Sequence, residues 1–437
     1  MTLQSASGFP RVAIVGGGWA GLACAAELCQ AGYQPVVFES APEAGGRARS
    51  AWIQDAARDN GQHLMLSGCA SLTSLFILAG ISLPTTPFVF ESGSRRLSVP
   101  ANAGRIGLAV ALLQATGFSA YERIRLIFAL IRLQLNGWSV SESQTVADWL
   151  SVNHQPNSLI KEFWEPLALA ILNTPLKQAA MARLAPVLRD TLGHGGKALC
   201  LLQPTGNLTE SVVNPLVDFI KARGGQIHLG QRVTSVFPAQ NGYELHIKDL
   251  EQTAHFDQVV LAIPPWALDK IELPEGLDNI PFASRFGSQP IATVYLGFNP
   301  SYRLPAPLLQ IDGPTEADAR LWVMDRAHCG EPGVVAVSIS AEGRWCELDT
   351  PDLAKACLRS LQLALPNVPE CLWHKAVVVH RATYKATPEA NIAADDSNPM
   401  PQLYLAGDWT HTSYPATLEA AVATGLCVAR RIIAANS

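Results

Sequence analysis

Three short stretches carry residues whose types and spacing suit chemistry. In VAIVGGGWAGLACAAEL, residues 12–28, Gly16, Gly18 and Gly21 have G-x-G-x-x-G spacing. Glycines so placed permit a tight turn and let backbone N–H groups approach a pyrophosphate seated on the positive end of the next helix. Glu39 closes a second apolar run, 18 residues beyond Gly21, where a carboxylate can take the hydroxyls of an adenosine ribose. The second stretch, RDNGQHLML, crowds Asp59, Asn60, Gln62 and His63 against an apolar run, which calls for either a hydrogen-bonded turn or a site. The third, LYLAGDWTHTSYPATLEAAVATG at residues 403–425, breaks an apolar run at Gly407-Asp408 and opens an Ala-rich helix near Ala416. Asp408 at the carboxyl end of a strand can accept polyol hydroxyls, and the helix N-terminus can face accumulating negative charge.

The elements that must position these residues follow from pattern. Val12–Val15 reads as a buried strand, Leu22 to Ala31 as a helix and Pro35 to Phe38 as a second strand, the order that a dinucleotide fold requires. In SAPEAGGRARSAW, Gly45-Gly46-Arg47 can place a guanidinium and backbone amides on a phosphate, or form a solvated turn. Residues 103–200 read as mainly helical, with Asp148, Glu165 and Asn173 among apolar neighbours. The segment Arg123 to Trp138 sets three Arg beside a wide apolar face. It suits a membrane interface, or equally a core helix whose Arg side chains reach back to solvent. Another amphipathic helix spans 207–223, an Asn241-Gly242 hairpin turn joins two short strands, and QVVLAI stops at Pro264-Pro265. Strands and one helix near 351–365 fill 281–385. A single dinucleotide turn does not account for a second strand–Gly-Asp–helix unit about 390 residues later. A longer cofactor does: FAD adds a ribitol and a flavin ring beyond the pyrophosphate. The competing reading makes Gly407-Asp408 a plain turn and Thr417 or Thr410 a helix cap.

Composition narrows the class. A chain of 437 residues allows about two or three domains, and 48% hydrophobic against 16% charged residues supplies a core and an apolar cavity. A net charge of −5 gives no footprint for nucleic acid. Nine cysteines without a CxxC pair argue against a metal site and a disulfide framework, and suit a reducing compartment. The opening MTLQSASGFP lacks the basic and apolar regions of a secretory signal, and no run of about 20 apolar residues spans a bilayer. A cytoplasmic location, peripheral to the membrane at most, is the expectation.

Taken together, GGGWAGL, Glu39, GGRARS, DNGQH, RVTSV, VVLAIPP and LAGDWTHTSYPATLEAAVATG resemble the flavin amine oxidase and carotenoid desaturase superfamily over essentially the whole chain. Within it, VADWL, FWEPLALAILNTP, LLQPTGNL and PIATVYL are similar to the squalene-associated branch, the hydroxysqualene dehydroxylases of bacterial hopanoid biosynthesis. The resemblance implies an α/β fold in which a Rossmann-type FAD-binding domain (1–95, 206–280 and 396–437) interleaves with a mixed α+β substrate domain (helical 96–205, sheet 281–395). It implies that Gly16, Gly18 and Gly21 wrap the pyrophosphate, with Ala20 in the same turn, and that Glu39 holds the ribose. Gly46 and Arg47 then lie near phosphates and flavin, Val233 gives its backbone to the adenine, and Gly407, Asp408, Thr417 and Leu418 hold the ribitol and pyrimidine end. The lysine that often meets the flavin in amine oxidases has no clear counterpart, which counts against amine oxidation.

The branch implies an apolar C30 isoprenoid substrate, coupling to squalene or phytoene synthase-like enzymes, and reduction of an allylic alcohol to squalene with loss of water. Loss of hydroxide needs an acid. His63 has a suitable pKa range, or else a structural role. Asp59, Glu165 and Tyr414, the last in the loop expected to face the ring, are the other candidates. A desaturase with opposite electron flow shares every one of these motifs, and a lipid carrier holding flavin without turnover is the non-enzymatic alternative.

Overall fold

In a computed structural model, the described residues are 9–248, 253–275, 277, 287–313, 320–390 and 399–436. The expected domain boundaries at 280/281 and 395/396, and residues 1–8 of the opening MTLQSASGFP, lie outside them.

Five parallel strands form the first sheet, in the order Gln226–Leu229, Val36–Glu39, Val12–Val15, Gln258–Leu261, Leu403–Leu405. The three central strands are buried at every position, as parallel strands covered on both faces must be. Alternation divides their side chains. Val12, Ile14, Val37 and Val260 face a helical layer made by Trp19–Gln30, Ala70–Ala79, Asn214–Ala222 and Leu418–Ala435. Ala13, Val15, Phe38 and Leu261 face an antiparallel meander of Val233–Ala239, Gly242–Ile247 and Ala254–Phe256. The Asn241-Gly242 hairpin forms as its sequence requires, with Gly242 at φ +101°.

The second domain rests on a seven-stranded sheet ordered Trp373–Thr383, Gln289–Gly297, Val334–Ser340, Leu321–Asp325, Leu308–Ile311, Phe88–Ser92, Arg95–Val99. All its pairings are antiparallel except that of Leu308–Ile311 with Phe88–Ser92. The Phe88–Val99 hairpin therefore belongs to the seven-stranded sheet, and the expected boundary at 95 falls inside it. Helix Thr350–Ala364 covers one face, and the other faces the first domain.

Local chemistry sets several ends differently from the pattern reading. The first helix begins at Trp19, directly after Gly18, which leaves Ala20 and Gly21 in its first turn. Helix Ala120–Leu135 starts earlier than Arg123 because Ser119 and Glu122 form a capping box, and it stops before Trp138 because Gly137 takes φ +62°. Between 207 and 223 the helix opens with a π turn, Thr209–Val213, before Asn214–Ala222.

The first and last helices touch backbone to backbone: a Cβ on Gly425 would stand 2.2 Å from the carbonyl oxygen of Ala20. Gly425→Val should force them apart and lower unfolding stability by about 1–3 kcal/mol, read from urea denaturation. An unchanged midpoint would show that this contact does not limit packing.

Candidate flavin site and cavity

Two glycine loops build one end of the site. Gly16 has φ +111°, and a Cβ on Gly21 would lie 2.0 Å from the Gly16 carbonyl oxygen, so neither position admits a side chain. Gly45 N–H donates to Gly17 O at 2.8 Å, and a Cβ on Gly46 would reach within 3.0 Å of Gly18 Cα. The loops thus lie flush, with the start of helix Trp19–Gln30 between them. No side chain caps that start and no acidic residue lies in its first turn. A helix end of this kind suits an anion. The Glu39 carboxylate stands above it, accepting from Gly17 N–H at 2.7 Å and Ala41 N–H at 2.8 Å.

The other end joins chain segments hundreds of residues apart. Arg47 Nη2 meets Asp408 Oδ1 at 2.6 Å, its Nη1 donates to Ala382 O at 2.9 Å, and its guanidinium lies 5.4 Å from the Trp266 ring centroid. Asn60 Nδ2 holds the Arg47 carbonyl at 2.8 Å. Thr417 is the N-cap of the last helix, its Oγ1 accepting from Ala420 N–H at 3.2 Å, while also lining the cavity. The cap reading and the site reading therefore both apply to it.

A single cavity of about 590 Å³ is lined by Gly16, Gly18, Ala20, Glu39, Gly46, Arg47, Val233, Gly407, Asp408, Thr417 and Leu418. Gly21 lies behind it, packed on Gly16. The same cavity is lined by Ile171, Ile291, Trp322, Met324 and Val379, so an apolar chamber adjoins the polar cradle. Trp266, Trp322, Met324, Ile291 and Val379 carry no local motif. Trp266 sits on the short helix Pro265–Leu268, and the other four lie on strands of the seven-stranded sheet, whose register decides which face looks into the cavity. Trp409 beside Asp408 also lines it, with its indole N–H fixed on Ile263 O at 2.9 Å.

The four acid–base candidates separate. His63 lines the cavity, and its Nε2 is enclosed without a hydrogen-bond partner. Burial pushes its pKa below the ordinary histidine range; Asp59 opposes this and Arg47 adds to it. It also lines a neighbouring cavity of about 60 Å³, shared with Asp59, Gln62, Arg326 and His328. Asp59 is committed elsewhere: Oδ1 accepts from Leu208 N–H at 2.7 Å and Ser50 Oγ at 3.0 Å, and Oδ2 pairs with Arg326 at 3.3 Å. Glu165 heads helix Glu165–Leu172 outside the cavity lining, with burial raising its pKa. Tyr414, expected to face a flavin ring, instead donates its hydroxyl to Asp190 and is absent from the lining. The loop turns it away because His411 Nδ1 accepts from both Ser413 N–H and Tyr414 N–H, at 3.2 and 3.0 Å.

A flavin dinucleotide fits this donor set: side-chain-free loops and an uncapped helix start at one end, a carboxylate among backbone amides above, and the Arg47–Asp408 pair beside an apolar chamber at the other. Asp408→Ala should weaken flavin retention about ten- to a hundredfold, measured as bound flavin per protein after gel filtration. Full retention would remove Asp408 from the site. His411 supplies a pH dependence. Burial, then Arg183, holds its folded pKa down at about 4, with Asp190 partly opposing. The unfolded chain takes up that proton near pH 6.5, so stability is complete above this and is lost as pH falls toward 4. His411→Asn should flatten that part of a denaturation-versus-pH curve, and an unchanged slope would assign the loss to other groups.

The comparisons with known proteins agree with this geometry. The family model described as flavin containing amine oxidoreductase matches residues 19–433. A hydroxysqualene dehydroxylase of Zymomonas mobilis is 26% identical over 424 residues, covering 94% of this chain and 96% of the relative. A 15-cis-phytoene desaturase of Capsicum annuum is 24% identical, covering 97% of this chain and 78% of the relative. The solved cyclohexylamine oxidase of Brevibacterium oxydans shares the fold with a TM-score of 0.74 at 17% identity, covering 98% of this chain and 99% of that one. With its two glycine loops, its C-terminal Asp408 unit and a family match that spans nearly the whole chain, this protein belongs to the flavin containing amine oxidoreductase family.

Proposed function

We propose that this protein is an FAD-dependent oxidoreductase of a long polyisoprenoid, acting as a desaturase that removes a hydride and a proton from adjacent carbons. The observation that carries the direction is His63: a cavity-lining imidazole with a depressed pKa and an unpartnered Nε2. Near neutral pH it is uncharged, so it is equipped to accept a proton rather than to give one. The names borne by the relatives support a polyisoprenoid substrate, and the apolar wall of Ile171, Ile291, Trp322, Met324 and Val379 suits one.

FAD, when bound, would supply the two-electron hydride chemistry. The chain supplies the remainder. Gly16, Gly18, Gly46 and Glu39 would hold the dinucleotide, and Arg47 and Asp408 would hold its flavin end. The apolar wall excludes water from a cationic hydrocarbon that water would otherwise trap. His63 takes the proton lost from the neighbouring carbon as the new double bond forms.

Reductive dehydroxylation, which returns hydride to an allylic cation after loss of water, is the second reading. Length favours it: the Zymomonas relative is matched over 96% of its length, against 78% for the Capsicum desaturase. It requires a proton on the departing hydroxyl, which a neutral His63 does not carry.

The test is anaerobic. The purified oxidised flavoprotein is mixed with a polyene hydrocarbon such as phytoene or squalene, and the reduced form with hydroxysqualene, while the flavin spectrum is followed and the lipids extracted. Bleaching with a more unsaturated product supports desaturation. Reoxidation by hydroxysqualene with squalene formed would overturn that direction and leave the dehydroxylase. His63→Gln should slow turnover by about 10²–10⁴ at unchanged flavin content. For a base, the wild-type rate falls only at pH below the ordinary histidine range; a rate that rises there instead would assign His63 the role of an acid.

A further inference from the structure

The two consecutive helices Arg105–Gln114 and Ala120–Leu135 turn apolar side chains outward. On the longer one, Leu126, Ala129 and Leu133 are buried against the core, whereas Tyr121, Ile124, Phe128, Ile131 and Leu135 are exposed, Leu135 to 81%. Spacings of three and four residues put those five on one stripe. Ile106, Val110 and Leu113 do the same on the shorter helix, with Ile106 82% exposed. Eight large exposed apolar side chains on two consecutive helices are more than a protein facing only water ordinarily keeps.

Charge identifies what covers it. Between residues 100 and 140 the chain holds four Arg, one Glu and neither Lys nor Asp, although the whole protein carries −5. The Glu, Glu122, is buried and paired with Arg95 at 3.0 Å. Helical phase sets Arg125 and Arg132 along one border of the stripe and Arg123 along the other. Their guanidiniums bond uncharged acceptors: Arg123 the carbonyls of Leu113 and Phe118, Arg125 those of Asn153 and His154, Arg132 the side chain of Asn153. None of the three forms an ion pair with a carboxylate among the described residues. A second copy of the chain is a poor occupant, because pairing two such stripes sets Arg against Arg with no carboxylate to match. An apolar stripe edged with Arg fits the boundary between acyl chains and anionic headgroups. We propose that the outward face of these two helices docks the protein on an anionic lipid bilayer, with the stripe below the headgroups and Arg123, Arg125 and Arg132 among them. This inference stands apart from the proposed reaction, since it uses no residue of the cavity.

The experiment is co-sedimentation of the full-length flavoprotein with phosphatidylcholine vesicles, with and without phosphatidylglycerol, at low and high salt. The protein should pellet with the phosphatidylglycerol vesicles and be partly released by salt. Ile124→Ser with Phe128→Ser should weaken binding by about tenfold or more at an unchanged melting temperature. The Leu363→Ser control, at an 89% exposed position on a different helix, should bind as the wild type does. Wild-type protein left in the supernatant, or a double variant that binds undiminished, would overturn the proposal. Equal binding to neutral vesicles would overturn the anionic surface. A dimer in light scattering that Phe128→Ser splits, without vesicle binding, would give the face to a second copy.

Discussion

The structure depends on one register: Val12–Val15 lies parallel between Val36–Glu39 and Gln258–Leu261, with Leu403–Leu405 beyond. Because all these strands point the same way, their carboxyl ends open on one edge, and the loops that follow them come from residues 16–18, 262–264 and 406–408. A slip of one residue would turn Ile14 and Val260 from the helical layer to the meander and pull Asp408 from Arg47. The two buried faces of the sheet resist that slip, so the stability of the core and the geometry of the site are the same constraint.

From that edge the electrostatics follow. Arg47 leaves one glycine loop and reaches Asp408 across the opening, while its carbonyl is held by Asn60. The polar run after Arg58 is fastened on its other side: Asp59 and Gln62 take Arg326, and Arg58 and Arg326 share Glu331, at 2.6 and 3.0 Å. Tyr295 of the seven-stranded sheet donates to the Asp59 carbonyl at 2.6 Å. Charges this deeply buried are tolerated only when paired, and here the pairing joins the two domains around His63. The imidazole at the centre has no such partner on Nε2, and burial depresses its pKa, with Asp59 opposing and Arg47 adding to the shift.

The helical part of the second domain obeys a different rule. Its inner faces complete the core, yet the outer face of Ala120–Leu135 is apolar where solvent would ordinarily select polar residues. Both proposals turn on one property, an apolar cavity wall inside the protein and an apolar helix face at its surface.

Much of this was legible in the chain. The Gly16-x-Gly18-x-x-Gly21 turn, Glu39, the Gly45-Gly46-Arg47 loop, the Asn241-Gly242 hairpin and the Asp408 helix unit are local signals, because each depends on backbone freedom or helix-end chemistry within a few residues. Even the true start of helix Ala120–Leu135 was written locally, in Ser119 and Glu122. Tertiary structure alone decided the rest. The hairpin 88–99 joined the far sheet through a single parallel pairing with Leu308–Ile311, Tyr414 turned to Asp190, Asp59 was spent on Arg326, and Trp322 and Met324 became cavity wall. Alternation along a strand tells which residues share a face, whereas which face meets a cavity, and which carboxylate finds a distant arginine, depends on contacts hundreds of residues apart that no local pattern encodes.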